Sequence, residues 1–218
     1  MNFLFGSTGL VGSFLVKELK SNKETFLAIN RKKIDHLSDD EQVVLEKIED
    51  FNFSDVKKSY ISLGYPLKWN ELIFMKKNTK KLFYAVDFEL ILNLAKKLKK
   101  NGCNTLAVVS AVGANKSSNN YYLSIKGKLE EELLNMGFSK LIFARPGHLL
   151  GKREKPRDFG TFLIELFGKI SDPFLIGKLK KFRNIQAKLV AELLIKASSE
   201  EFKDDAYVIE FNEIKKLT

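Results

Sequence analysis

Cysteine and histidine are scarce in this sequence, and long apolar runs are absent. The chain has 218 residues, with one cysteine, Cys103, and two histidines. A lone cysteine excludes an intramolecular disulfide, and so few soft ligands give no metal-binding cluster. No apolar run approaches the length of a membrane-spanning helix. Because a core strand is predicted from Asn2, we expect no signal peptide. We therefore expect a buried Cys103, a reduced cytoplasmic location, no metal and no membrane partner.

Acidic residues are fewer than basic ones. Lysine and arginine number 37 and aspartate and glutamate 27, which gives a net charge of +10. Such an excess is typical of proteins that bind nucleic acid or acidic lipid. The lysines are nevertheless spread over predicted helix faces, and the one compact basic cluster lies at residues 178–183. We therefore expect a small-molecule substrate rather than nucleic acid. An anionic ligand would explain part of the excess, and a protein partner stays open.

Short apolar runs alternate with amphipathic stretches along the chain, which predicts an α/β fold with a parallel sheet in a single domain over residues 1–218. The predicted strands are Asn2–Phe5, Thr25–Ile29, Val43–Ile48, Ser59–Leu63, Asn104–Ser110, Lys140–Ala144 and Ala206–Phe211. The predicted helices are Leu10–Lys20, Phe88–Lys100, Tyr121–Met136, Phe159–Ile170 and Gln186–Ser198. Asp87 is predicted to cap the second of these helices, and the stretch between Phe51 and Ser59 is too short for a full helix.

The first strand is followed by GSTGLVG, with glycines at positions 6, 9 and 12. A strand, a glycine-rich turn and a helix form a phosphate-binding arrangement, because the first N–H groups of the helix are free to bind an anion. Gly6 allows a sharp turn, Gly9 removes a Cβ that would block a pyrophosphate, and Gly12 allows close packing of the helix on the sheet. The spacing G-x-x-G-x-x-G differs from the more familiar G-x-G-x-x-G.

The end of the second strand indicates which dinucleotide is bound. A site for NAD usually has an acid there, which binds the ribose 2′-hydroxyl. This chain has Asn30, Arg31 and Lys32 instead. Because a guanidinium pairs well with a phosphate, Arg31 favours NADP over NAD.

A second set of residues follows the predicted central strand. Ser110 lies at the carboxyl end of that strand, where open α/β sheets bind their ligands. Tyr122 and Lys126 are four residues apart and share a helix face. A free tyrosine has a pKa of about 10, and a nearby ammonium group lowers it, which suits proton transfer at a carbonyl or hydroxyl oxygen. Ser110 would orient the same oxygen.

In this order the motifs resemble the short-chain dehydrogenase/reductase superfamily, and more closely its atypical branch with the Tat-interacting oxidoreductase-like and NAD-dependent epimerase/dehydratase-like proteins. The resemblance rests on two further stretches, SAVGANKSSNNYYLSIKG and FARPGHLLGKRE. The matching residues are Gly113, Ala114, Ser118, Tyr122, Lys126, Gly127 and Glu130 in the first stretch, and Arg145, Pro146, Gly147, Leu150, Gly151 and Arg153 in the second. One departure is the turn ISLGYP, where this branch tends to have threonines after Leu63-Gly64.

The resemblance implies a Rossmann-like, doubly wound, three-layered fold, with the part from about residue 146 to 218 contributing the substrate side. It also implies a bound nicotinamide dinucleotide and Ser110, Tyr122 and Lys126 as the catalytic residues. Together with the glycine turn, the expected cofactor contacts are Gly6, Ser7, Thr8, Gly9, Leu10, Val11, Gly12, Asn30, Arg31, Lys32, Asp50, Leu63, Gly64, Tyr122, Lys126, Arg145, Pro146 and Gly147. Lys116, His148 and Arg153 are candidates for substrate contacts.

These residues lead us to expect an NADP-dependent oxidoreductase that transfers hydride to or from a carbonyl or alcohol. Two alternatives remain open. One is an NADP-binding regulator or sensor that acts through a protein partner. The other is an isomerase or dehydratase that uses the same serine, tyrosine and lysine.

Overall fold

The computed structural model describes residues 1–151, 177–201 and 206–210. A parallel sheet of seven strands lies at its centre, in the order β3-β2-β1-β4-β5-β6-β9. The strands are β1 Asn2–Phe5, β2 Phe26–Asn30, β3 Gln42–Val44, β4 Lys58–Ile61, β5 Thr105–Val109, β6 Lys140–Ala144 and β9 Tyr207–Ile209. A second, two-stranded sheet pairs β7 Leu149–Leu150 with β8 Ile185–Gln186. This is the predicted Rossmann-like, doubly wound sheet.

Helices cover both faces of the sheet. They are α1 Leu10–Ser21, α2 Lys77–Tyr84, α3 Ile91–Lys100, α4 Tyr121–Leu134 and α5 Ala187–Ser199, and a π-helical turn, Ala85–Leu90, joins α2 to α3. Short 3-10 turns span Ile48–Asp50, Trp69–Leu72 and Gly177–Phe182. Among the described residues, no helix is long and apolar enough to cross a membrane.

The apolar residues of each strand divide between two cores. Leu4 of β1 packs in a cluster with residues of α1 and α5, whereas Phe3 and Phe5 pack in a cluster with residues of α3 and α4. Successive side chains of a strand point to opposite faces of the sheet, so a strand covered on both faces is apolar throughout. Cys103 is fully buried in the second core, as expected.

The structure corrects the predicted start of one helix. The segment was expected to begin at Phe88 with Asp87 as its cap, but it runs continuously from Lys77 to Lys100 through the π-helical turn. Asp87 lies inside that turn and is 2% exposed. The prediction was wrong because the side chain of Asp87 binds a partner in the core instead of the helix end. The expected short connection before β4 is confirmed, since it holds only the turn Ile48–Asp50. The predicted helix Phe159–Ile170 lies outside the described residues.

The strand order fixes where a ligand can bind. β1 lies between β2 and β4. The chain therefore passes from β1 to β2 and β3 on one side of β1, and then crosses over to β4, β5 and β6 on the other side. In open parallel sheets this reversal opens a crevice at the carboxyl ends of the strands. The glycine turn follows β1 and Leu63-Gly64 follow β4, so both stretches lie at that crevice.

Candidate active site

The three glycines of the first turn meet different surroundings. Gly6 has a φ of +87°, and a Cβ there would lie 2.8 Å from the backbone of Ser62. A Cβ on Gly12 would lie 2.0 Å from the carbonyl oxygen of Gly6. Gly9 has an ordinary φ of −80°, and its added Cβ would lie 3.1 Å from the same oxygen. The backbone therefore requires glycine at positions 6 and 12 and is much less demanding at position 9.

The start of α1 is arranged as an anion site. Gly9 is its N-cap and provides no side-chain cap, and the first turn holds no acidic residue. The first N–H groups of a helix have no intrahelical acceptor and carry the positive end of the helix dipole. A phosphate group at this end of the crevice would meet those donors without a competing carboxylate.

The end of β2 adds polar groups to the same crevice. The Ser7 hydroxyl bonds to Oδ1 of Asn30, and Asn30 is buried. Nδ2 of Asn30 has no hydrogen-bond partner within the described ranges, so it is a donor available to a ligand. Arg31 and Lys32 follow on the exposed surface. The glycine turn, the helix start and this orphaned amide together fit the phosphate and ribose groups of a dinucleotide.

The other predicted cofactor contacts differ from one another in exposure and in the residues they contact. Asp50 is exposed at the end of its 3-10 turn. Gly64 lies beside the buried Asp87, since its added Cβ would be 3.6 Å from a carboxylate oxygen of that residue. The guanidinium of Arg145 is occupied by two carboxylates, with Nε 3.0 Å from Glu130 and Nη1 3.6 Å from Glu210. A cofactor contact through the Arg145 side chain would have to compete with both carboxylates, and the role stays a prediction.

Ser110 occupies the position expected for a substrate-orienting hydroxyl. It follows β5 directly and is 5% exposed, and its N–H donates to the carbonyl of Ala144 at 2.7 Å. The loop after it is tied to the next strand end, because the N–H of Val112 donates to Pro146 at 3.0 Å. The Ser110 hydroxyl is buried and has no partner among the described residues. A buried hydroxyl without a partner is costly unless a ligand completes its hydrogen bonding.

Tyr122 and Lys126 lie on the first turns of α4. Asn120 caps this helix, and its side-chain oxygen accepts from the N–H of Leu123 at 3.0 Å. The Tyr122 ring packs on Phe83, with ring centroids 5.4 Å apart. Lys126 is 4% exposed, and its ammonium nitrogen lies 2.7 Å from Oδ1 of Asp87. The helix therefore brings the predicted tyrosine and lysine together beside a carboxylate.

Asp87 is the member of this site that sequence reasoning missed. Its second oxygen, Oδ2, accepts from the N–H of Tyr65 at 2.6 Å. One carboxylate therefore anchors both the turn after β4 and the lysine of α4. Asp87 follows an apolar stretch and precedes a helical pattern, which is also the signature of an N-cap. The sequence pattern predicted only the cap, whereas in the structure the buried Lys126 pairs with this acid.

The electrostatics of Tyr122 differ from the expectation. Burial raises the pKa of Tyr122 above its usual value of 10; the charge of Lys126 opposes this rise, and that of Asp87 adds to it. Burial would lower the pKa of Lys126, but the charge of Asp87, then that of Tyr122, outweighs burial and raises it. The predicted lowering of the tyrosine pKa was wrong for this structure, because the effect of burial exceeds that of the lysine charge, which Asp87 offsets in part. Burial therefore favours the neutral form of the Tyr122 phenol.

Of the three predicted substrate contacts, the structure describes Lys116 and His148. Lys116 is exposed and forms an ion pair with Glu131 of α4. The carbonyl of His148 accepts from the N–H of Ile185 at 3.0 Å, which joins the loop after β6 to β8. Arg153 lies outside the described residues, as does about half of the C-terminal part that was expected to form the substrate side. These three roles stay predictions.

Solved structures with this fold belong to the superfamily that the motifs resemble. A short-chain dehydrogenase/reductase superfamily protein from Agrobacterium tumefaciens with bound NAD superimposes with a TM-score of 0.71 at 14% identity, covering 100% of this chain and 81% of that one. The human epimerase family protein SDR39U1 with NADPH superimposes with a TM-score of 0.65 at 18% identity, covering 91% and 70%. The chain therefore has the fold of the atypical, epimerase-like short-chain dehydrogenases.

Relatives in sequence include proteins named FMP52, mitochondrial. Protein FMP52, mitochondrial, from Candida albicans is 28% identical over 99% of this chain and 96% of its own length. Its namesake from Debaryomyces hansenii is 34% identical over 77% and 75%. These names contradict the cytoplasmic location expected from the single cysteine; that expectation was wrong because mitochondrial proteins can be equally poor in cysteine. The HIM1 family model matches residues 25–166, more than half of the sequence, and the chain belongs to the HIM1 family.

Proposed function

We propose that this protein is an NADP-dependent oxidoreductase that transfers hydride reversibly between the nicotinamide and the carbonyl carbon of a small substrate. The observation that carries the proposal is the buried Ser110 hydroxyl without a partner. It follows β5 at the same sheet edge as the glycine turn, and α4 brings the Tyr122–Lys126 pair. The mitochondrial names of the relatives support a mitochondrial place of action.

The residues that would hold the cofactor are those of the crevice. The N–H groups at the start of α1 would bind its pyrophosphate, and Nδ2 of Asn30 would bind a ribose or phosphate oxygen. The absence of an acid after β2 and the exposed guanidinium of Arg31 support NADP over NAD. Among the structural neighbours, one contains NADPH and another NAD. When bound, the nicotinamide supplies or accepts the hydride.

The chain's own side chains would manage the proton and the substrate oxygen. Ser110 donates a hydrogen bond to the carbonyl oxygen and orients it. Tyr122, which is neutral because it is buried, gives its phenolic proton to that oxygen while the carbon receives the hydride, so a carbonyl becomes an alcohol. Lys126 stabilises the resulting phenolate, and Asp87 holds the ammonium in place. In the reverse direction the phenolate accepts the proton of the alcohol.

The test is a hydroxyl deletion with a matched control. Tyr122→Phe keeps the ring against Phe83 and removes the group that moves the proton. We expect it to lower NADPH-dependent reduction of an active carbonyl compound by about 100-fold or more while NADPH affinity stays unchanged. Tyr84→Phe removes a hydroxyl from the same aromatic cluster, where Tyr84 stacks on Phe88, and should leave both properties intact.

Two outcomes would contradict the proposal. Equal activity of Tyr122→Phe and Tyr84→Phe would remove the proton-transfer role of Tyr122. If a broad panel of aldehydes, ketones and alcohols gave no turnover, and NADPH instead changed the affinity for a protein partner, the protein would be a regulator.

A further inference from the structure

A small pocket opens beside Tyr122. It has a volume of about 200 Å³, below the 300–1,000 Å³ typical of sites for drug-sized ligands. Tyr121 and Tyr122 line it, and Leu72, Ile73, Phe74 and Met75 form its apolar wall. Because Tyr122 belongs both to this pocket and to the proposed proton relay, a molecule held in the pocket lies next to the group that would protonate it.

Glu71 and Lys80 are the charged residues that line the pocket, and they differ in the partners they bind. Glu71 has both oxygens engaged, one by the N–H of Lys68 at 2.9 Å and the other by the Thr79 hydroxyl at 3.1 Å. Lys80 is half-buried, and its ammonium nitrogen lies 4.9 Å from the centre of the Tyr121 ring. No carboxylate in residues 1–151, 177–201 or 206–210 forms an ion pair with Lys80. The pocket therefore contains charges of both signs. The Glu71 carboxylate is bound by hydrogen-bond donors, whereas the Lys80 ammonium has no ion-pair partner among these residues and lies over an aromatic face.

The apolar wall extends to an exposed rim. Ile73 is 76% exposed and Phe74 77% exposed, although both line the pocket. Large apolar side chains beside a cavity are typical of binding surfaces, because a ligand that covers them removes apolar area from water. A ligand that satisfies the rim and Lys80 together must be apolar over most of its body and carry one negative charge.

We propose that this pocket is the substrate subsite of the oxidoreductase, that its substrates are small apolar carbonyl compounds carrying a carboxylate, and that Lys80 determines the preference for the anion. The carbonyl group of the substrate is inferred from the proposed function, on which this part of the inference rests. The apolar body and the carboxylate are inferred from the pocket. The apolar body lies against Tyr121 and Met75, the carboxylate pairs with Lys80, and the carbonyl faces Tyr122.

The experiment uses 4-formylbenzoate and its neutral methyl ester as probes. Binding of each probe to the NADP⁺-loaded protein is measured by calorimetry, which needs no turnover. We expect the acid to bind about tenfold more tightly than the ester, the effect of one charge-assisted hydrogen bond. In Lys80→Met the two probes should bind alike. Lys81→Met removes the next, exposed lysine of the same helix and should keep the full preference.

The outcomes separate the pocket from the reaction. A tenfold preference that depends on Lys80, without NADPH oxidation, would support the subsite and refute the reductase function. Equal affinity of acid and ester in the unaltered protein would overturn the inference, as would an equal loss in Lys80→Met and Lys81→Met, because the effect would then be general surface charge. It would also be overturned if neither probe bound while the protein bound anionic lipid vesicles and Phe74→Ser abolished that binding, since the rim would then be a membrane contact.

Discussion

The buried ion pair between Lys126 and Asp87 gives the sharpest quantitative test of the site. Both side chains are almost fully inaccessible, at 5% and 3%, and their charged atoms lie 2.7 Å apart. Removing one partner of a buried pair costs about 3–5 kcal/mol, because the other charge stays buried without compensation. Asp87→Asn retains an oxygen that can accept from the N–H of Tyr65, so we expect the lower end, about 3 kcal/mol. Lys126→Met, which strands the carboxylate, should cost a similar amount.

The double variant tells a real ion pair from two independent residues. Replacing both members with neutral side chains removes both uncompensated charges, and such replacements are often neutral or stabilising. The double variant should therefore be less destabilised than the sum of the single effects by about 2 kcal/mol or more. Independent residues would give additive effects within about 0.5 kcal/mol, and this result would refute the pairing.

The assay is urea unfolding at pH 7, provided that the transition is two-state. The choice of pH 7 follows from the direction in which the pKa of Lys126 is shifted. The pKa of Lys126 is raised above its usual 10.5 in the folded protein, so its stabilising contribution is present in full below pH 10.5 and is lost as the pH rises through the folded value. At pH 7 the comparison of single and double variants therefore measures the whole contribution of the Lys126–Asp87 pair to stability.

The same substitution predicts a change in the pH profile of activity. The charge of Asp87 helps to raise the pKa of Tyr122, so Asp87→Asn should lower that pKa. Reduction needs the protonated phenol, and its rate should therefore begin to fall at a lower pH in the variant than in the unaltered protein. An identical alkaline limb in both proteins would show that Asp87 does not act on Tyr122.

Two further predictions concern the cofactor crevice. Gly9→Val should abolish dinucleotide binding in a folded protein. A Cβ there meets the Gly6 oxygen at 3.1 Å and the Ser62 oxygen at 3.7 Å, while the branched side chain covers the helix N–H groups. Unchanged NADPH affinity by titration would refute this, and Gly12→Ala, whose Cβ would lie 2.0 Å from the Gly6 oxygen, should instead impair folding. Arg31→Ala should weaken NADPH binding by about 1.5–3 kcal/mol, which is the contribution of a hydrogen bond to a charged group. The same change should leave the affinity for NADH unaffected. Equal affinities for both cofactors before and after the change would argue against a role for Arg31.

The sheet was largely predictable because its inner strands are covered on both faces. Strand Lys140–Ala144 has the predicted bounds, and β2 is displaced by one residue. A strand buried on both faces must be apolar throughout, so its composition alone identifies it. The glycine turn was predictable for a related reason: backbone contacts as short as those of Gly6 and Gly12 admit no other residue.

Helix α2 was not predicted, although it leads to the site. Its sequence, KNTKKLFY, has one buried residue, Phe83. A helix of eight residues is too short to show the repeated apolar pattern over about 11–18 residues that identifies an amphipathic helix in a sequence. What holds it is tertiary packing of Phe83 against Tyr121 and Tyr122 of α4. Such packing joins residues far apart in the sequence and leaves no local pattern.

The tyrosine shows why a correct motif did not give the correct chemistry. Spacing places Tyr122 and Lys126 on one helix face, and a lysine by itself would lower the pKa of the phenol. Asp87, from another helix, turns that lysine into half of an ion pair. The positive charge near the phenol is then offset by a negative one, and the cost of burying a phenolate decides the direction of the shift.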